Sequence, residues 1–170
     1  MPDTITGPGP GPGASAGSRQ PVCRVADDAW SLDHHHRIRH AVFVEEQRLF
    51  DLCDLDEHDD HPATIKVLSV RGREPAGAVR LYPLDADGVR WQGDRLAVLP
   101  SHRRYAAGAP LVRFAVRTAG ELGGELMVAH IQRANVTFFE RLGWRRDGAV
   151  EIYVGVEHQP MAIPLQPASG

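Results

Sequence analysis

Cysteine is scarce in this chain: Cys23 and Cys53 are the only two among 170 residues. The start of the chain lacks the charged head and apolar middle of a secretory signal, so both are expected as reduced thiols in a cytoplasmic protein. The chain has no excess of positive charge. Its net charge is −3 with the signs intermixed, which argues against nucleic acid as a partner. No apolar run reaches membrane-spanning length. Two nucleotide-binding signatures are missing as well. No Gly-Lys-Ser/Thr closes a phosphate loop, and no three-glycine dinucleotide fingerprint follows a strand. At this length the default is one domain with enough chain to bury a core.

Glycine and proline, by contrast, crowd residues 1–20, in G-P-G-P-G-P-G and then A-S-A-G-S. Such a composition supports neither helix, strand nor core, and a disordered tail is expected before a domain spanning 21–170. A strand is expected over Val22–Ala26, then a helix capped by Asp27 or Asp28 and running to about His40 or Val42. The triplet His34-His35-His36 cannot converge on one metal ion from a helix, since neighbours point about 100° apart. Strand patterns follow at 64–70, 76–84 and 89–91, separated by the turns R-G-R-E-P and D-A-D-G.

The stretch Asp94 to Glu121 organises the rest. A buried strand, Leu96–Leu99, ends at Pro100, and a small basic loop, Arg103 to Ala109, leads into a helix. Pro110 suits that helix's first turn and Gly123-Gly124 its stop, while Arg113, Arg117 and Glu121 share one polar face. A strand, a small-residue loop and a helix N-terminus can hold a phosphate: unpaired amides point at it, small side chains allow approach, and Arg103 and Arg104 add charge. A strand-to-helix turn with no ligand gives the same pattern. Beyond it lie a strand at 125–131, a short helix from Asn135 to Leu142 stopped by Gly143, and two closing strands at 151–156 and 161–165.

Between the first helix and the second strand, Asp54, Asp56, Glu57, Asp59 and Asp60 gather with His58 and His61. A calcium loop is disfavoured, because the glycine turn and the terminal glutamate are missing. A zinc site lacks a closed ligand set. A solvated loop remains, as does a functional reading in which negative charge at a cleft mouth draws in a cationic amine.

Three motifs carry a resemblance. L-A-V-L-P-S-H-R-R-Y-A-A-G-A, Leu96 to Ala109, resembles the coenzyme A loop of the GNAT acetyltransferases, Arg/Gln-x-x-Gly-x-Gly/Ala, here Arg103-x-x-Ala106-x-Gly108. A-N-V-T-F-F-E-R-L-G-W, Ala134 to Trp144, resembles the family's Asn-x-x-Ala-x-x-Phe-Tyr-x-Lys-x-Gly-Phe helix. Arg39-x-x-Val42-Phe43-Val44-x-Glu46-Gln47 with Asp56-x-x-Asp59 is similar to one bacterial subset, and acyl-homoserine lactone synthases share a related N-terminal half. H-D-D-H-P-A-T, V-R-L-Y-P-L-D and V-A-H-I-Q look most like the nitrogen-starvation-linked members. The element order β-α-βββ-α-β-α-ββ is also that of the GNAT fold, an α/β architecture with a central mixed sheet and helices on both faces.

The resemblance implies an N-acetyltransferase using acetyl-CoA or a short acyl-CoA as co-substrate, with no metal and a small-molecule amine as acceptor. A monomer or a homodimer is expected. It assigns cofactor contacts to Val98, Arg103, Arg104, Tyr105, Ala106, Ala107, Gly108, Ala109, Asn135, Phe139 and Arg141. The Val98 backbone N–H would polarise the thioester carbonyl. Phe139 stands where the family has a tyrosine that protonates the departing sulfur; since a thiol pKa is about 8.5, the thiolate leaves tolerably without it, or water, Tyr153 or Tyr105 substitutes. Glu46 and His130 are the candidate proton acceptors. Two other readings stand beside this one: a non-catalytic acyl-CoA sensor, which Phe139 and Ala106 favour, and a lactone synthase-like enzyme.

Overall fold

The computed structural model describes residues 20–169; all of the expected tail but Gln20 lies outside them. Eight strands form one sheet in the order β1 (Val22–Val25), β2 (Ile65–Arg71), β3 (Glu74–Pro83), β4 (Arg90–Val98), β5 (Leu126–Gln132), β8 (Val156–Pro164), β6 (Arg145–Arg146), with β7 (Glu151–Tyr153) also on β8. Every neighbouring pair is antiparallel except β4 and β5, which run parallel. The helices are α1 (Ala29–Arg39), α2 (Gly108–Glu121) and α3 (Val136–Arg141). The mixed sheet with flanking helices is the expected architecture. No helix among the described residues is long and apolar enough to cross a membrane.

Side chains alternating along the strands divide the core in two. On one face Val67, Val79, Leu81 and Met127 pack against Leu111, Val112, Ala115 and Ala119 of α2, with Phe139 and Trp144 from α3 and its exit. On the other, Leu68, Ala78 and Ala97 meet Ile38, Val42 and Phe43. Leu111 is wholly buried, a burial that contributes about 1.5–3 kcal/mol.

Asp28 caps α1 by accepting from the Ser31 amide at 2.7 Å, and the Ser31 hydroxyl reaches back to the Asp28 backbone. The helix does not stop near Val42. It widens into π-helical turns over His40–Glu46, the Gln47 amide donating to the Val42 carbonyl at 2.8 Å. The two strand patterns expected at 89–91 and 96–99 are one strand, β4, interrupted by a bulge. Arg80 pairs with Asp94 and Ala78 with Ala97, so Arg95 and Leu96 together oppose Val79, and Arg95 takes φ 52°. The closing strands likewise divide differently: β7 turns at Val154-Gly155, both at positive φ, into the long β8.

That bulge re-aims β4. Although β4 and β5 are neighbours, they pair only over Arg90–Gln92 and Leu126–Val128; beyond, they diverge. The gap so opened is the site.

Candidate functional site

A cleft of about 520 Å³ occupies the gap. Leu96, Met127 and Phe139 line its apolar side, with Gln92, Asp94 and Arg95 from β4 and His130 and Gln132 from β5. Antiparallel pairing alternates which residues bond across the ladder. Leu99 donates to the Ala76 carbonyl at 2.9 Å, so the N–H of Val98, one residue earlier, faces away from β3 and toward the splay. Carbonyl polarisation would call for an amide so oriented at the end of the central strand.

Past Val98 the chain makes a 3₁₀ turn over Pro100–Tyr105 and enters α2 at Gly108, two residues before the expected Pro110. Ala107 sits at the N-cap and no side chain caps the helix, leaving its first amides available to an anion. A Cβ on Gly108 would lie 3.5 Å from Phe138 and 3.9 Å from Val98, ordinary contacts, and its φ is not positive. The protein itself therefore does not demand glycine there. Ala106 is left-handed at φ 54°, a conformation that favours the glycine of the family pattern and costs an alanine roughly 1–2 kcal/mol. The loop is braced from outside: the Arg71 guanidinium lies 3.6 Å over the Tyr105 ring, and His102 meets Glu74 at 3.1 Å. Tyr105 is thus committed beneath Arg71, whereas Tyr153 borders the cleft.

Arg103 donates to the Val98 carbonyl at 3.2 Å and grips Glu46 with both terminal nitrogens. That grip holds the Glu46 carboxyl below the usual carboxylate range. Glu46, expected as a proton acceptor, is held by Arg103 and is not among the residues lining the cleft. Arg104 is exposed beside Tyr105, and Arg141 is exposed at the end of α3. Asn135 precedes α3 but its side chain caps nothing; it lines the cleft instead. Phe139 is buried edge-on against Trp144, at 5.3 Å between ring centroids. The structure thus brings His130, Asn135 and Phe139 to one cleft and sets the loop 103–109 at the end of β4.

The acidic stretch is neither a solvated loop nor a free negative surface. Arg39, wholly buried, donates to Asp54 at 2.7 Å and to both oxygens of Asp59 at 2.6 and 3.0 Å. Arg80, also wholly buried, holds Asp94 at 2.7 and 2.8 Å and Asp56 at 2.6 and 3.0 Å. Arg95 adds a 3.1 Å bond to Asp54, and Lys66 stands 3.8 Å from Asp59. The four anions and four cations cancel. Burial pushes the Asp56 and Asp59 carboxyls up, but hydrogen bonds and charge from Arg80 and Arg39 outweigh it and hold both low. Those four paired carboxylates carry little net charge toward an acceptor; the cluster pins the 54–60 segment to β3 and β4, and Asp56 and Asp94 of it line the cleft. Of the stretch's carboxylates, only Glu57 and Asp60 are exposed. Among the described residues, no three His, Cys, Asp or Glu side chains converge as a metal site.

Sequence reasoning missed Arg80 and Arg95 as partners of these aspartates, and Glu151, which contacts the Nδ1 of His130. Arg80 stood in the quoted V-R-L-Y-P-L-D run, but nothing in its spacing names its partners.

Residues 26–144 match the acetyltransferase (GNAT) family. A Bacillus subtilis (strain 168) protein provisionally named an acetyltransferase is 30% identical over 122 residues, covering 71% of this chain and 81% of its own. Among solved structures, Escherichia coli ElaA superposes with a TM-score of 0.74 at 20% identity, over 84% of this chain and 99% of its own. The coenzyme A-dependent acyl-homoserine lactone synthase BjaI, solved with SAM and isopentyl-CoA, superposes at 0.68 and 20% identity, over 79% and 76%. These matches do not single out the nitrogen-starvation-linked subset. The splayed β4–β5 pair, the loop beyond Val98 and the family match together make this chain a member of the GNAT family, an N-acetyltransferase by type.

Proposed function

We propose that the protein moves an acetyl or short acyl group from acyl-CoA directly to the amine of a small molecule. The observation that carries this reading is the divergence of β4 from β5 beyond Gln92, which leaves the Val98 N–H facing the gap immediately before the uncapped start of α2. The residues present fit the co-substrate. The free amides at Gly108 and Ala109 suit its diphosphate, aided by Arg103 and Arg104, with Tyr105, Ala106 and Ala107 shaping the loop. Asn135 offers an uncommitted side-chain amide to the pantetheine arm, and Arg141 a basic group toward the adenosine phosphates. When bound, acyl-CoA supplies a thioester carbonyl and a sulfur leaving group.

The chain's own part is polarisation and proton traffic. The Val98 N–H donates to the carbonyl oxygen as negative charge develops there, the kind of fixed donor that contributes about 2.7–4 kcal/mol in other acyl-transfer enzymes. His130, on the cleft wall, accepts the amine proton; Glu46 is spent on Arg103. Phe139 offers the sulfur no proton, so Tyr153 or water does so after departure. The acceptor meets a wall whose aspartates are internally paired and whose exposed carboxylate is Glu57; orientation comes from Tyr82, stacked on His58 at 3.9 Å, and from the apolar Phe43 and Phe50.

Free-thiol release from acetyl-CoA across a panel of small amines, with a no-amine control, tests this together with calorimetry of coenzyme A. Amine-dependent release is expected. Tight acetyl-CoA binding with no release above the control for any amine would leave the non-catalytic sensor as the correct reading.

A further inference from the structure

Among the acidic and imidazole groups bordering the cleft, one carboxylate–imidazole pair is in direct side-chain contact. Asp56 and Asp94 are saturated by Arg80. His58 lies flat on Tyr82, and Glu57 stands 3.8 Å from its Nε2, past hydrogen-bond reach. His158 is buried with Nδ1 turned to the Val156 carbonyl at 2.8 Å. His130 and Glu151, by contrast, meet each other. Both line the cleft, both are about half exposed, and the Glu151 carboxylate contacts Nδ1 of His130.

The fold makes this pair deliberately. Along β5, Met127, Ala129 and Ile131 are buried in the core that holds Phe139, while His130 and Gln132 alternate to the opposite side. On that side Gln132 donates to Gln47 at 2.9 Å across the cleft, beneath the end of the first helix. Glu151 comes from β7, a three-residue strand added only at the end of β8 by the tight Val154-Gly155 turn. In the registers, His130 opposes Pro160 and Glu151 opposes His158. The hairpin thus swings a carboxylate over a histidine that lines the cleft.

We infer that Glu151 is the positioning residue for His130 as proton acceptor, a proposal that rests on the acyl-transfer reading above. A carboxylate only accepts hydrogen bonds, so it selects the tautomer with the proton on Nδ1. The lone pair is then on Nε2, which bonds to no described residue. In the step, the acceptor's neutral amine forms the new C–N bond as the C–S bond breaks, the electron pair leaving on sulfur. Nε2 takes the proton lost by nitrogen, and the Glu151 anion stabilises the resulting imidazolium. That proton is returned to sulfur or solvent, and the pair is restored. The other groups near the pair are Tyr153, edge-on to His158 at 5.6 Å, and Glu157, held by Arg133 at 2.8 Å.

The test combines imidazole ¹⁵N NMR of the free protein with steady-state kinetics over pH. Wild type should show His130 chiefly as the Nδ1–H tautomer, and Glu151→Ala should return it toward the Nε2–H form that free imidazole side chains favour. His130→Gln should lower kcat by about 10²- to 10⁴-fold with the KM for acetyl-CoA unchanged. Glu151→Gln keeps an acceptor for Nδ1–H but removes the charge; it should lower kcat less than Glu151→Ala does, with the KM for acetyl-CoA unchanged, and Glu151→Asp should restore part of the loss seen with Glu151→Ala. Retention of the wild-type rate and pH profile in Glu151→Ala, or a wild-type His130 ring chiefly in the Nε2–H form, would overturn the assignment. Wild type that transfers to no amine would overturn the acyl-transfer reading instead, and the tautomer measurement would still decide the pairing.

Discussion

His35 provides a measure of how tightly the α1 face of the sheet is built. Its ring is fully buried, with Nδ1 2.9 Å from the Val67 carbonyl and Nε2 3.2 Å from a terminal nitrogen of Arg39. A carbonyl only accepts and a guanidinium only donates, so Nδ1 carries the proton and Nε2 accepts. A second proton on Nε2 would set N–H against N–H in a buried site. Burial, against the partly compensating Val67 bond and with Arg39 adding to it, pulls the His35 pKa from 6.5 down to about 3. The unfolded chain takes up a proton near pH 6.5 and the folded one cannot until about pH 3. The contribution to stability is therefore fully present above 6.5 and lost as pH falls from there toward 3. One proton at 1.36 kcal/mol per pH unit gives a loss of about 2 kcal/mol between pH 7.5 and pH 5. Urea unfolding at the two pH values, on wild type and on His35→Asn, isolates it. Asparagine keeps a donor and an acceptor but does not titrate, so its stability should fall by about 2 kcal/mol less over the same interval. Equal losses in both proteins, or an NMR titration of His35 centred near 6.5, would refute the buried neutral imidazole.

Other outcomes follow from close contacts. Gly108→Val, at the start of α2, should fold but weaken coenzyme A binding by about tenfold or more, an affinity loss of at least about 1.4 kcal/mol by calorimetry; unchanged affinity in a folded variant would remove the loop from the binding site. Phe139→Tyr restores the hydroxyl of the family pattern: turnover with a good amine should hold or rise, and a drop in stability of about 1–3 kcal/mol would instead report a hydroxyl buried without a partner. On α2, a Cβ on Gly120 would lie 2.1 Å from the Gln166 carbonyl oxygen, a backbone atom that cannot swing aside. Gly120→Ala should therefore cost about 1–3 kcal/mol of packing against about 1 kcal/mol of helix propensity gained. A melting temperature a few degrees lower is expected, and a rise would show that the 165–167 segment yields freely.

The two-residue β6 was not legible in the amino-acid sequence alone; the order of the main elements, a cap at Asp27 or Asp28, the turn from the central strand into a helix near Gly108 and the helix entered after Asn135 were. Each is a local signal: a cap acts over three residues, a strand pattern over two, a helical face over four. Asn135 and Phe139 could be named because a family motif carries them, and His130 because it ends the strand expected at 125–131; all three line the cleft. Boundaries that depend on neighbours escaped that reading. The π-helical continuation to Glu46 and the single bulged β4 are set by what packs and pairs against them, not by propensity.

Charge pairing was decided only by the tertiary structure. Asp54, Asp56 and Asp59 are unremarkable surface residues until the sheet brings Arg80, 24 residues from Asp56, and Arg95, 41 residues from Asp54, beneath them. Glu46 looks like a free base until Arg103, 57 residues away, closes on it. Glu151 acquires a role only when the β7–β8 hairpin folds over His130. The residue types present are given by the chain, but an ionisable group's proton affinity depends on the charges within a few ångströms, and strand register chooses those neighbours.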